Sequence, residues 1–205
     1  MIRNSSFLAP APRCDAGTVA MSFVGVTNLD VNNVDVHGGI SAVLIDCALC
    51  DGLGFETPNT GKIRNSTFTG TNTGMFIVNT TDLTVSNNHF SNTVSSACLP
   101  GDAINVLQIG SAPRTGIKIR NNFIHDNFSG IIIGGSVVAG AEISGNQIRD
   151  NSNFGIGLFE STGNLIKNNI TFDNGVDLFH NELSSPNTWK NNSCETKEGA
   201  DIPDC

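Results

Sequence analysis

Tyrosine is absent from this 205-residue sequence, tryptophan occurs once, and charged side chains make up only 15% of it. Basic residues are scarcer than acidic ones, 11 Lys and Arg against 19 Asp and Glu, for a formal charge of −8. Nonspecific nucleic-acid binding needs clustered cations that displace phosphate counterions, so this balance argues against it. No uninterrupted apolar run reaches the length of a membrane-spanning helix, about 18 residues. Residues 1–13 lack a cationic stretch leading into an apolar one and are interrupted by Asn4, Ser5 and Ser6, so they do not read as a signal peptide. Helix-forming composition is also lacking. The expectation is a piece of a longer exported protein, located extracellularly, in the periplasm or at a cell surface.

What the sequence has in excess is 26 Asn and 22 Gly, residues that tolerate left-handed backbone and so mark tight turns. They recur in a motif: apolar, any, Asn or polar, Asn or Ser, any, apolar. It begins at Ile2, Val31, Ile63, Val85, Ile119, Ile143, Ile166 and Trp189, with a basic period of 22 to 24 residues. A second marker, a small residue followed by apolar alternation, recurs once per period, as in Gly130-Ile131-Ile132-Ile133 and Gly155-Ile156-Gly157-Leu158. Period-two alternation over such short stretches implies strands rather than amphipathic helix. Leucine-rich repeats have a similar period but require Leu at fixed positions and a helix in each repeat. The expected architecture is all-β: a right-handed parallel β-helix of roughly eight coils, one domain over 1–205 with a polar C-terminal tail at 195–205. The Asn at the third motif position is expected to turn inward as a ladder, so that replacing Asn121 or Asn168 costs about 1–3 kcal/mol. Triplets such as Asn65-Ser66-Thr67 are then by-products of the repeat rather than glycosylation signals.

These coils, above all Asn151 to Cys194 with Gly-Ile-Gly-Leu, Asn-Leu-Ile-Lys-Asn-Asn and Asn-Thr-Trp-Lys-Asn-Asn, resemble the parallel β-helix proteins of the pectate-lyase-like superfamily. The resemblance extends to its secreted and periplasmic carbohydrate-binding and sugar-hydrolysis members and covers nearly the whole chain. It implies an exported protein that binds or acts on polysaccharide. It does not identify catalytic residues, because one solenoid hosts many chemistries.

Insertions locate candidate sites. The interval from Val85 to Ile119 is the longest and carries Asp102 before an apolar strand in which Asn105 points outward. Outward positions stack in columns: His125 with Arg149, Lys118 over Glu142, Arg120 with Lys167. Together with Arg114 they form a basic stripe suited to an acidic sugar chain, so Asn105, Arg114, Lys118 and Arg120 are the candidate substrate-binding residues. For a uronate lyase or epimerase, Arg149 or Arg120 would neutralise the carboxylate and His125 would serve as base, with Asp102 nearby. Hydrolysis would need paired carboxylates such as Asp102 and Asp126, but Asp126 recurs as Asp150 and Asp173 and reads as a turn residue. The face of Asn105, Ile132, Gly157 and Asp177 is poor in charge. Outward Phe76, Ile132, Phe159 and Phe179 would mark the contact of an adhesin or tail-spike scaffold instead. The leading expectation is a polysaccharide-binding or scaffold module.

Four His without ligand spacing give no transition-metal site, and no cofactor is expected, calcium on Asp and Asn oxygens remaining possible. Of six Cys, Cys47 and Cys50 form a lone CxxC without a second ligand pair. The even number fits disulfides in an oxidising compartment, with Cys194 and Cys205 expected to tie the tail to the last coil.

Overall fold

The computed structural model describes residues 1–8, 19–39, 41–45, 59–78, 80–95, 100–107, 115–135 and 140–205. Their regular elements are strands throughout, arranged in two parallel sheets of 13 and eight strands. Every motif start lies in one column of the first sheet: Ile2, Val31, Ile63, Val85, Ile119, Ile143, Ile166 and Trp189 pair in that order. The chain is therefore a parallel β-solenoid. Of its eight rungs six have a neighbour on both sides, so about six turns are enclosed by others. The register holds across the long intervals, as between Val85 and Ile119.

The second sheet repeats the logic. Val43, Met75, Ile104, Ile131, Ile156 and Leu178 stack inward in one column, each at most 1% exposed. Burial of this and the matching column of the first sheet provides the cohesion, at roughly 25 cal/mol per Å² of apolar area. A tight approach between coils occurs at Gly130, where a Cβ would run into the carbonyl oxygen of Gly155 and stand 2.8 Å from the Ile148 side chain.

The first sheet bends once per turn, as between Lys118–Arg120 and Phe123–His125. The third motif residue makes that bend: Asn4, Asn33, Asn65, Asn87, Asn121, Asn168 and Asn191 all have φ between 51° and 56°, and Gly145 occupies the same place at 65°. Left-handed geometry turns the Asn121 and Asn168 side chains to solvent. The following residue turns inward, so the ladder stands one position later than expected, on Asn88, Asn122, Asn146, Asn169 and Asn192. From Asn122 onward each Oδ1 accepts from the backbone N–H and the Nδ2 of the Asn one coil earlier, at 2.9–3.1 Å. Ser66 caps the row by donating its backbone N–H to Asn88 Oδ1 at 3.0 Å. A second ladder runs through Asn127, Asn151 and Asn174. Each member follows a carboxylate at positive φ, Asp126, Asp150 or Asp173, which makes these aspartates the turn residues the repeat suggested.

At the C-terminus Cys194 and Cys205 form a disulfide with Cα atoms 5.2 Å apart. Lys197 Nζ donates to the Ile202 carbonyl at 2.9 Å and to Asp204 at 2.7 Å, and Ile202 is buried at 3% exposure. The tail thus covers the last rung. Cys14, Cys47, Cys50 and Cys98 lie outside the described residues. Among the described residues no helix is long and apolar enough to cross a membrane.

Candidate functional site

The columns inferred for the basic stripe are present: His125 opposes Arg149, Lys118 opposes Glu142, and Arg120 reaches Lys167 across Ser144. Arg120, Lys167 and Glu142 spend their charges on one another. Glu142 receives Arg120 on one oxygen and Lys167 on the other, the latter at 3.1 Å. Burial pushes the Glu142 carboxyl up, but the hydrogen bonds from Arg120 and Lys167 outweigh it and hold the group below its ordinary value. Arg149 pairs with Asp150 and lies 5.3 Å over the Phe123 ring. Lys118 remains exposed, and Arg114 lies outside the described residues.

The residues considered for lyase chemistry are divided between the two sheets. His125, Arg120 and Arg149 belong to the first, Asp102 and Asn105 to the second. Asp102 is only 3% exposed and accepts from Asn105 Nδ2 at 2.6 Å. Burial raises its carboxyl above the ordinary value, opposed by hydrogen bonds from Asn105 and Ser129. The outward column through Asn105 runs Phe76, Asn105, Ile132, Gly157, Phe179, as the apolar-face reading requires. Asp177 departs from that reading: it is fully buried and accepts the backbone N–H groups of Glu195 and Thr196, which fastens the tail.

The structure also brings together two histidines whose spacing gave no signal. His89 opposes Phe123 in register, and His125 stands two residues further along the neighbouring strand on the same outward face. Their rings lie 4.9 Å apart between centroids, with Nε2 atoms at 2.7 Å. Asp126 Oδ2 is 2.6 Å from His125 Nδ1. A carboxylate there fixes the proton on Nδ1 and leaves the Nε2 lone pair facing His89. His89 is held below the ordinary imidazole value by burial first and by the charge of His125 second. Motif position five of one coil meets position seven of the next, across a 34-residue interval, so a search for short-range ligand spacing passes over the pair. The column grid puts both residues on one outward face of adjacent strands, two positions apart, and only the side chains' reach brings them together.

Two imidazole nitrogens this close can share a hydrogen bond, or serve one ion with metal–nitrogen bonds of about 2.0 Å. Nitrogen donors suit copper, zinc or nickel and not calcium, which takes oxygen ligands. Among the described residues no cluster of three or more His, Cys, Asp or Glu forms a fuller site. Asp126 already serves Nδ1, so among the described residues the donors that converge here are two nitrogens.

Aliphatic columns fill the interior of this parallel solenoid, which leaves the side chains on its outer faces as the candidate binding groups. This chain belongs to the NosD family: the family described as periplasmic copper-binding protein (NosD) matches residues 19–198. Among curated proteins none matches the chain. The family's periplasmic location agrees with the exported setting expected from the sequence. Its description names copper and not polysaccharide, and the carbohydrate function implied by the superfamily resemblance finds no support in it.

Proposed function

We propose that the chain is a single-domain periplasmic β-helix scaffold that carries copper on its outer face, held by His89 and His125, with Asp126 as a positioning residue. The convergence of the two Nε2 atoms at 2.7 Å is the observation that carries this reading. Copper binds such nitrogen donors more tightly than the other first-row divalent metals do. The ion is cargo here: two protein donors leave room for donors from a partner to take it up. The solenoid's part is to hold both rings on adjacent rungs and to shield them with Phe123, whose ring lies 5.4 Å from His89 and 4.6 Å from His125. Asp126 keeps the Nδ1 proton in place, so that Nε2 is the free donor.

The test is a Cu(II) titration of the intact chain followed by electron paramagnetic resonance. One ion should bind with hyperfine structure from two nitrogens, and His89→Ala or His125→Ala should abolish that signal. Asp126→Asn should preserve stoichiometry and weaken affinity by about 10–100-fold, as loss of such a supporting carboxylate does. An unchanged copper spectrum in both histidine variants overturns the assignment.

A further inference from the structure

On the second sheet, away from the histidine pair, Asp102 and Asn105 form the floor of a surface depression of about 190 Å³ whose walls are Phe128, Ile132, Phe154 and Phe159. Phe154 and Phe159 meet edge to face, with ring centroids 5.6 Å apart. Asp102 opposes Ser129 in register. Phe154, on the strand beyond that of Ser129, lines the same depression. Among the described residues Asp102 pairs with no cation, in contrast to Asp30, Glu142 and Asp150, each of which carries an arginine. Its partners are the Asn105 amide and the Ser129 hydroxyl, both neutral.

A buried carboxylate with no counter-charge among the described residues, beside three phenylalanine side chains, is complementary to a cation that brings its own apolar surface. The negative faces of the rings attract positive charge, and an alkylated ammonium tolerates loss of water far better than a metal ion does. Calcium or magnesium would need six or more oxygen ligands, whereas the site offers one carboxylate, the side chains of Asn105, Ser129 and Asn153, and otherwise carbon walls. An anion would meet Asp102 directly. We infer that this depression binds the alkylammonium group of a small organic cation, with Asp102 as counter-ion and Phe128, Phe154 and Phe159 as its aromatic wall. The inference is independent of the copper reading, since it uses the other sheet.

Choline and its neutral isostere 3,3-dimethylbutan-1-ol distinguish charge recognition from apolar filling of the same space. Calorimetric or NMR titration of the full chain should show saturable choline binding in the millimolar range or tighter, with no saturation by the isostere. Asp102→Asn and Phe159→Ala should each weaken choline binding by about tenfold or more, equivalent to about 1.4 kcal/mol. Thermal unfolding of both variants checks that the fold persists, and the choline–isostere comparison needs no variant at all. Equal binding of choline and isostere, choline binding undiminished in Asp102→Asn, or no saturable choline binding would each overturn the inference.

Discussion

Replacing Asn146 by Ala tests what the amide ladder contributes. Asn146 is fully buried, and its Oδ1 accepts from Asn122 N at 2.9 Å and Asn122 Nδ2 at 3.0 Å. Its Nδ2 donates to the Ile119 carbonyl at 3.0 Å and to Asn169 Oδ1 at 2.9 Å. Truncation leaves the Asn122 backbone N–H without an acceptor, its Nδ2 with the Val85 carbonyl alone, and the Ile119 carbonyl without this donor, in a place water reaches only if the coils part. Each orphaned buried group costs about 1–3 kcal/mol, and partial relaxation puts the sum at about 2–4 kcal/mol, a large share of a domain's usual 5–15. The matched control is Asn121→Gly, at the exposed left-handed corner one residue earlier. Glycine adopts that φ of 54° freely, so the change should stay within about 0.5 kcal/mol. Urea unfolding monitored by circular dichroism reads both variants, with the midpoint shift interpreted only where the m-value is unchanged. An Asn146→Ala loss below about 0.5 kcal/mol, or one no larger than that of Asn121→Gly, would refute the assignment of the ladder to the fourth motif position.

Two further outcomes follow from the C-terminal clasp and from Asp102. Closing the 11-residue separation between Cys194 and Cys205 should stabilise the chain by about 2–3 kcal/mol. A Cys194→Ser, Cys205→Ser double variant should therefore exchange amide hydrogens faster at Lys197, Glu198 and Ile202 while Ile63 to Ile143 stay protected, and uniform loss of protection would contradict a local clasp. Because the folded state raises the Asp102 carboxyl, the unfolded chain releases that proton first. Native stability is thus penalised as pH rises from about 3.9 through the folded value, and the penalty is constant above it. Asp102→Asn should be more stable than the parent at pH 7, with the difference shrinking toward pH 3; a pH-independent difference would show that the carboxyl is not the cause.

How far the sequence discloses this molecule depends on whether a feature is set by period or by reach. The inward columns are set by period: Ile63, Val85, Ile119, Ile143 and Ile166 fall into register because any slip would turn a buried aliphatic side chain to solvent. The corner is degenerate where two Asn stand in succession, since either can turn a chain and either can bond a backbone. The coil at Ser144-Gly145-Asn146 resolves it, because glycine can replace the left-handed residue but cannot replace an amide that holds its neighbours. Side-chain partners follow reach and escape the pattern. Lys118 opposes Glu142 directly, yet Glu142 takes Arg120 from the same neighbouring strand and Lys167 from the other side, both diagonal to it. The same diagonal step carries His89 past its register partner Phe123 to His125. In a parallel solenoid, register therefore fixes which residues share a face, and the length and rotamer of each side chain then decide which of three or four neighbours it meets. A functional pair built on that second choice becomes visible only when side chains are placed, and for that reason the imidazole pair rather than the repeat is where the structure adds most to the sequence.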